Sequence, residues 1–86
     1  MRYTVYWRPQ AEQELGELWL NGPDRQEIAQ AADAIDALIA EVPFEVGESR
    51  IGNTRVIFSG PLIATYDVLE RDLLVVVLSI WRSRRP

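Results

Sequence analysis

Three apolar runs, Thr54 to Ser59, Leu62 to Leu69 and Leu73 to Ile80, follow one another with only Ser59-Gly60-Pro61 and Glu70-Arg71-Asp72 to part them. Connections this short join antiparallel neighbours, because a parallel crossover needs a dozen residues or more. The runs are rich in Val, Ile, Leu, Phe and Tyr, side chains that fit a pleated, half-buried surface. Thr54 to Arg85 therefore predicts a three-stranded antiparallel meander around which the rest of the chain packs. The last run contains Leu73-Leu74-Val75-Val76-Val77-Leu78, apolar at both parities. That is the pattern of a strand covered on both faces, and it is read as the most buried strand of the sheet.

The first half of the chain supplies the cover. Arg2 to Trp7 alternates polar and apolar residues and then meets Pro9, which predicts a short strand, placed at a sheet edge beside the last strand. Pro9 is a good first helical residue, and Ala11, Leu15, Leu18 and Trp19 recur at helical spacing with Glu12, Glu14 and Glu17 turned outward. Asn21-Gly22 stops this helix and Pro23 restarts the chain. Asp24 and Glu27 then fall in the next first turn, where the helix dipole favours negative charge. Ile28, Ala31, Ala32, Ile35, Leu38, Ile39 and Val42 form the apolar face of a second helix that Pro43 ends. Phe44 to Gly52 reads as an extended loop or a short irregular strand. The order β-α-α-β-β-β predicts an α+β domain spanning residues 1–86, a two-helix hairpin packed on one face of an antiparallel sheet.

Composition closes off much chemistry. The 86 residues hold neither cysteine nor histidine, which removes disulfides, thiolate sites, the usual general base and the usual metal ligand. No metal site and no cofactor is expected. No apolar run reaches membrane-spanning length, so no membrane partner is expected and the chain is read as a cytoplasmic protein. The net charge is −4 but unevenly spread. Residues 1–48 hold three arginines and ten acids, net −7, whereas residues 49–86 hold six arginines and three acids, net +3. An anionic partner would meet the second half. All nine cations are arginine, a bias that a GC-rich genome produces without functional meaning.

Side-chain parity divides the meander into two faces. Leu74, Val76, Leu78 and Ile80 are wholly apolar and are expected to face the helices. In the middle strand Ile63, Thr65, Asp67 and Leu69 form the more polar set, and Arg55 shares a parity with Ile57 and Ser59. The open face is therefore expected to display Arg55, Thr65 and Ser79, with Arg82, Arg84 and Arg85 at its rim. A salt bridge from Arg55 to Asp67 is the structural alternative for that arginine. Tyr66 is expected in the core with its hydroxyl partnered, and Trp81 is read as a rim packing residue.

The strand, two helices and meander come with Trp7-Arg8-Pro9-Gln10-Ala11 at the first helix and Arg55-Val56 after the loop. They continue with Gly60-Pro61-Leu62-Ile63-Ala64-Thr65-Tyr66-Asp67-Val68 and Val77-Leu78-Ser79-Ile80-Trp81-Arg82-Ser83-Arg84-Arg85. In order and spacing this resembles the RelE/ParE superfamily of toxins from type II toxin–antitoxin systems. The resemblance implies a small bacterial toxin neutralised by a cognate antitoxin that wraps it. It implies one of two targets, the ribosome with its mRNA in the RelE branch or DNA gyrase in the ParE branch. For a ribosome-dependent endoribonuclease, Arg55, Arg82 and Arg84 are the catalytic candidates. For target or antitoxin binding the candidates are Arg55, Thr65, Trp81, Arg82, Arg84 and Arg85. Ile63 stands about where nucleases often carry an arginine, and no Tyr or His follows the last strand, so the ending is closer to the ParE-like one. The alternative is a catalytically inactive member acting as a protein-interaction module.

Overall fold

The computed structural model describes residues 2–83. Strand β1 (Thr4–Trp7) leads into α1 (Pro9–Asn21) and α2 (Arg25–Glu41), followed by β2 (Glu48–Ser49), β3 (Thr54–Ser59), β4 (Leu62–Leu69), a 3-10 turn at Glu70–Asp72 and β5 (Leu74–Arg82). The five strands form one sheet in the order β1-β5-β4-β3-β2. The meander β3-β4-β5 is antiparallel, and β1 lies at the edge beside β5. That edge pairing is parallel, so the sheet is mixed rather than purely antiparallel. Short connectors determine direction only between consecutive strands, and most of the chain separates β1 from β5.

The helices pack on one sheet face. Ile28, Ile35 and Ile39 of α2 and Ala11 of α1 are fully buried against Ile57, Leu62, Ala64, Tyr66, Val68, Val75, Val77 and Ile80. Each buried aliphatic side chain of this size contributes about 1.5–3 kcal/mol. The most buried strand is β4, not β5. Its alternate residues Leu62, Ala64, Tyr66 and Val68 are at most 2% exposed, as befits the middle of five strands, while Leu74, Val76 and Leu78 of β5 are half-buried on the face without helices.

A β-bulge corrects the expected parity of β5. Tyr66 pairs with Val77 but Thr65 pairs with Ser79, which leaves Leu78 as the extra residue. Before the bulge Val75 and Val77 face the helices; after it Ile80 does. One inserted residue exchanges the faces of everything that follows. The expected set Leu74, Val76, Leu78 and Ile80 thus holds only at Ile80. The strand also begins one residue later than expected, because Leu73 adopts a left-handed conformation (φ 49°) to close the turn.

Candidate functional site

Two polar clusters tie the helical side of the molecule to the sheet, and both engage arginines expected on the open face. In β3, Arg55 lies opposite Tyr66, in the row that continues through Ile57 and Ala64 to the core. It is on the helix side, not with Thr65. Its Nε and Nη2 donate to the Val46 carbonyl at 3.3 and 3.2 Å, and Nη2 also donates to Gly47 O at 3.2 Å. The single Tyr66 hydroxyl proton is shared between Pro43 O at 2.8 Å and Val46 O at 2.9 Å. Burial pushes the Tyr66 hydroxyl above its ordinary pKa, with the Arg55 guanidinium opposing. Arg55 thus holds the 43–47 loop down, and in place of the alternative bridge from Arg55, Asp67 accepts a hydrogen bond from the Thr54 hydroxyl.

At the other end of the sheet, Arg82 lies opposite Leu62, again on the helix side. It grips Asp24 with both prongs, Nη1 to Oδ2 at 2.6 Å and Nη2 to Oδ1 at 3.2 Å. Asp24 occupies the N-cap position of α2 yet makes no side-chain cap bond. The hydrogen bond from Arg82 is the main cause that holds its carboxyl below the ordinary aspartate value, and it raises Arg82 in turn. Gly22 makes room for this pair: a Cβ there would lie 2.6 Å from Arg82 Nη2 and 2.7 Å from Asp24 Oδ1. The fork pins the tip of the helical hairpin to the end of β5, and the Ser83 N–H donates to Pro61 O at 2.7 Å from the neighbouring connection.

Glu14 protects the edge of β5 that faces away from β4. Pairing with β1 stops at Val77, and beyond it Glu14 Oε1 accepts from Ile80 N–H at 3.0 Å and from the Ser79 hydroxyl at 3.2 Å. Ser79 is therefore bound to α1 and not displayed. Burial works against ionisation of Glu14, but the bonds from Ile80, Gln10 and Ser79 together outweigh it and hold the carboxyl below its ordinary value. A depressed carboxylate pKa adds stability above the unfolded pKa and loses it as pH falls through the folded one. Glu14→Gln is expected to flatten the loss of thermal stability below about pH 4.5, the region where glutamates titrate. A series of melts from pH 7 to 3 checks this, and an unchanged profile would contradict it. Glu14 was expected to point outward. It falls three residues after Ala11 and four before Leu18, which places it on the inward stripe.

The open face carries a different set. Phe58 of β3 and Trp81 of β5 both pair with Ile63 of β4 between them, with Phe58 46% and Trp81 41% exposed. Val56, Thr65, Asp67 and Val76 extend the face, and Tyr6 of β1, opposite Val76, is half exposed. Among the described residues, no strand arginine belongs to it. Thr65 is on this face as expected, and Trp81 stands at its end. Arg84 and Arg85 lie outside the described residues. The described residues hold no group of three or more acids that could bind a metal ion, and none of their helices is long and apolar enough to cross a membrane.

No protein-family model matches the chain, and no curated protein is similar to it in sequence. Solved structures are similar in shape. The toxin–antitoxin complex RelBE2 from Mycobacterium tuberculosis matches with a TM-score of 0.78 at 21% identity, covering 96% of this chain and 100% of that one. This chain has the RelE/ParE toxin fold. The chromosomal ParDE system from P. aeruginosa gives 0.74 at 15% identity over 96% and 98% of the two chains. The intact E. coli RelBE complex gives 0.65 at 18% identity over 96% and 99%. Within the RelE/ParE fold, the residues that sequence reasoning missed are Glu14, Gly22, Asp24 and Gly47, which hold the arginines and edges, and Phe58 and Ile63, which build the open face with Trp81.

Proposed function

We propose that this chain is the toxin component of a type II toxin–antitoxin module, neutralised by a cognate antitoxin, and that it arrests growth by binding a protein target, DNA gyrase, rather than by cutting mRNA. The observation that supports this reading is the engagement of Arg55 and Arg82 on the helix side of the sheet. Ribonucleolysis without a histidine would need preorganised cations aimed at the charge that develops on phosphorus. The open face instead offers an apolar row at Phe58, Ile63 and Trp81, the kind of surface that anchors protein contacts. Thr65, Trp81, Arg82, Arg84 and Arg85 remain the proposed contact residues for target or antitoxin, with Arg82 contributing through the hairpin it pins. The same observation favours, as a second reading, an inactive family member that acts as an interaction module. Expressing the chain alone in bacteria separates the two: growth arrest that the antitoxin relieves supports the toxin, and unaffected growth with soluble protein supports the module.

A further inference from the structure

Asn21 and Gly22 stand at the tip of the helical hairpin, against the Arg82–Asp24 fork. Asn21 is the last residue of α1 and is exposed, and its side-chain amide makes no hydrogen bond among the described residues. It lines a cavity of about 380 Å³ together with Glu17, Trp81 and Arg82. The backbone leaves the helix at Gly22, which is extended (φ −115°, ψ 159°). At the matching end of α2 the Val42 N–H closes the helix on Leu38 O at 2.8 Å. The Gly22 N–H makes no such bond among the described residues. A free backbone nitrogen thus follows a free side-chain amide, and the residue that carries it has no side chain to shield it.

An asparagine so placed can modify itself. Gly22 N attacks Asn21 Cγ and gives its proton to water; the Cγ–Nδ2 bond breaks, ammonia leaves, and a five-membered succinimide closes. Water then adds to either ring carbonyl and opens it, leaving aspartate or isoaspartate at position 21. The net exchange is amide plus water for carboxylate plus ammonium, with solvent water as the sole co-reactant. Arg82 favours the first step: a Cβ on Gly22 would lie 2.6 Å from its Nη2, so the guanidinium stands against this peptide. Its charge eases loss of the N–H proton and stabilises the oxyanion of the tetrahedral intermediate. A side chain at 22 would block the attack, but it would also lie 2.7 Å from Asp24 Oδ1 and disrupt the fork. The packing that needs a glycine at 22 therefore leaves Asn21 open to attack.

We propose that Asn21 is a self-modification site, deamidating through Gly22, and that its conversion loosens the fork that ties the helical hairpin to β5. Isoaspartate adds a methylene to the main chain at the point where Gly22 leaves no room for a Cβ. Either product puts a carboxylate at the C-terminal end of α1, where the helix dipole disfavours negative charge. That carboxylate shares a cavity with Arg82 and competes with Asp24 for it. The attachment of the hairpin thus weakens with the age of the molecule. The inference stands apart from the toxin reading, because it needs only the hairpin tip and Arg82.

The test is to age the whole protein in mildly acidic and mildly alkaline buffer, then follow each asparagine by peptide mass mapping and the fold by its melting temperature. Asn21 is expected to convert, and faster in alkali, because the Gly22 nitrogen attacks after losing its proton. Asn53 is the internal control: the nitrogen that follows it, Thr54 N, is held on Ile51 O at 2.9 Å and carries a β-branched side chain. It is expected to convert roughly ten-fold or more slowly, since that hydrogen bond must break before attack. The converted protein is expected to melt about 4–8 °C below the fresh one. Asn21→Gln, which would have to close a six-membered ring, is expected to keep its mass and its melting temperature through the same incubation. An Asn21 that stays intact in alkali, equal conversion of Asn21 and Asn53, or a converted protein that melts with the fresh one would overturn the inference.

Discussion

Gly47→Ala is expected to lower unfolding stability by about 2–4 kcal/mol. Gly47 has φ +70°, a region where a Cβ costs about 1–2 kcal/mol. The new atom would also lie 2.5 Å from the Val56 carbonyl oxygen and 2.9 Å from the Tyr66 hydroxyl. The first of these is backbone in β3 and cannot swing away. The loop must lift instead, and lifting it strains the bonds that Tyr66 and Arg55 make to Val46 and Gly47, each hydrogen bond contributing about 1 kcal/mol. A domain of this size has a total of about 4–13 kcal/mol, so the loss is a large fraction of it. Gly52→Ala is the internal control: Gly52 also has positive φ, at 57°, but a Cβ there meets nothing within 4 Å. Its loss is expected to stop near the backbone cost alone. Urea unfolding of the two variants measures the difference, and equal losses would contradict the role assigned to the Tyr66–Arg55 cluster.

Trp81→Ala is expected to act on function and spare the fold. The ring is 41% exposed at the end of the open face, directly opposite Ile63. Its truncation opens no core cavity, so stability is expected to move by no more than about 1 kcal/mol. A tryptophan central to a protein contact is worth about 2–4 kcal/mol when removed, equivalent to a loss of roughly 30-fold or more in affinity. Titration of the purified target or antitoxin with both proteins gives the ratio, while the melting temperature reports the fold. Binding unchanged by the substitution would remove the open face from the account.

The parts of this fold that were legible in the sequence are those that local patterning determines. The limits of β3 and β4, the start of α1 at Pro9, the end of α2 before Pro43 and the edge place of β1 follow from alternation, helical spacing and breakers. What was not legible depends on contacts between distant residues. The bulge at Leu78 reverses the faces of β5, yet an apolar run at both parities carries no mark of it. Arg55 reads as an open-face cation because it shares a parity with Ile57 and Ser59, against Val56 and Phe58 on the other. The carbonyls of Val46 and Gly47 that receive it come from a loop whose path no local signal determines. The Arg82–Asp24 fork joins residues 58 positions apart. Asp24 could be read only as a helix-start acid, and its partner was invisible.

The central claim is that this chain stops growth through a protein contact and not by ribonucleolysis. Its most direct test is to induce the chain in bacteria and follow plasmid topology together with the integrity of mRNA on translating ribosomes. The account predicts arrest with loss of negative supercoiling or broken plasmid DNA, uncut mRNA, and recovery when the antitoxin is co-expressed. Arrest with codon-specific mRNA cleavage and normal plasmid supercoiling would contradict it.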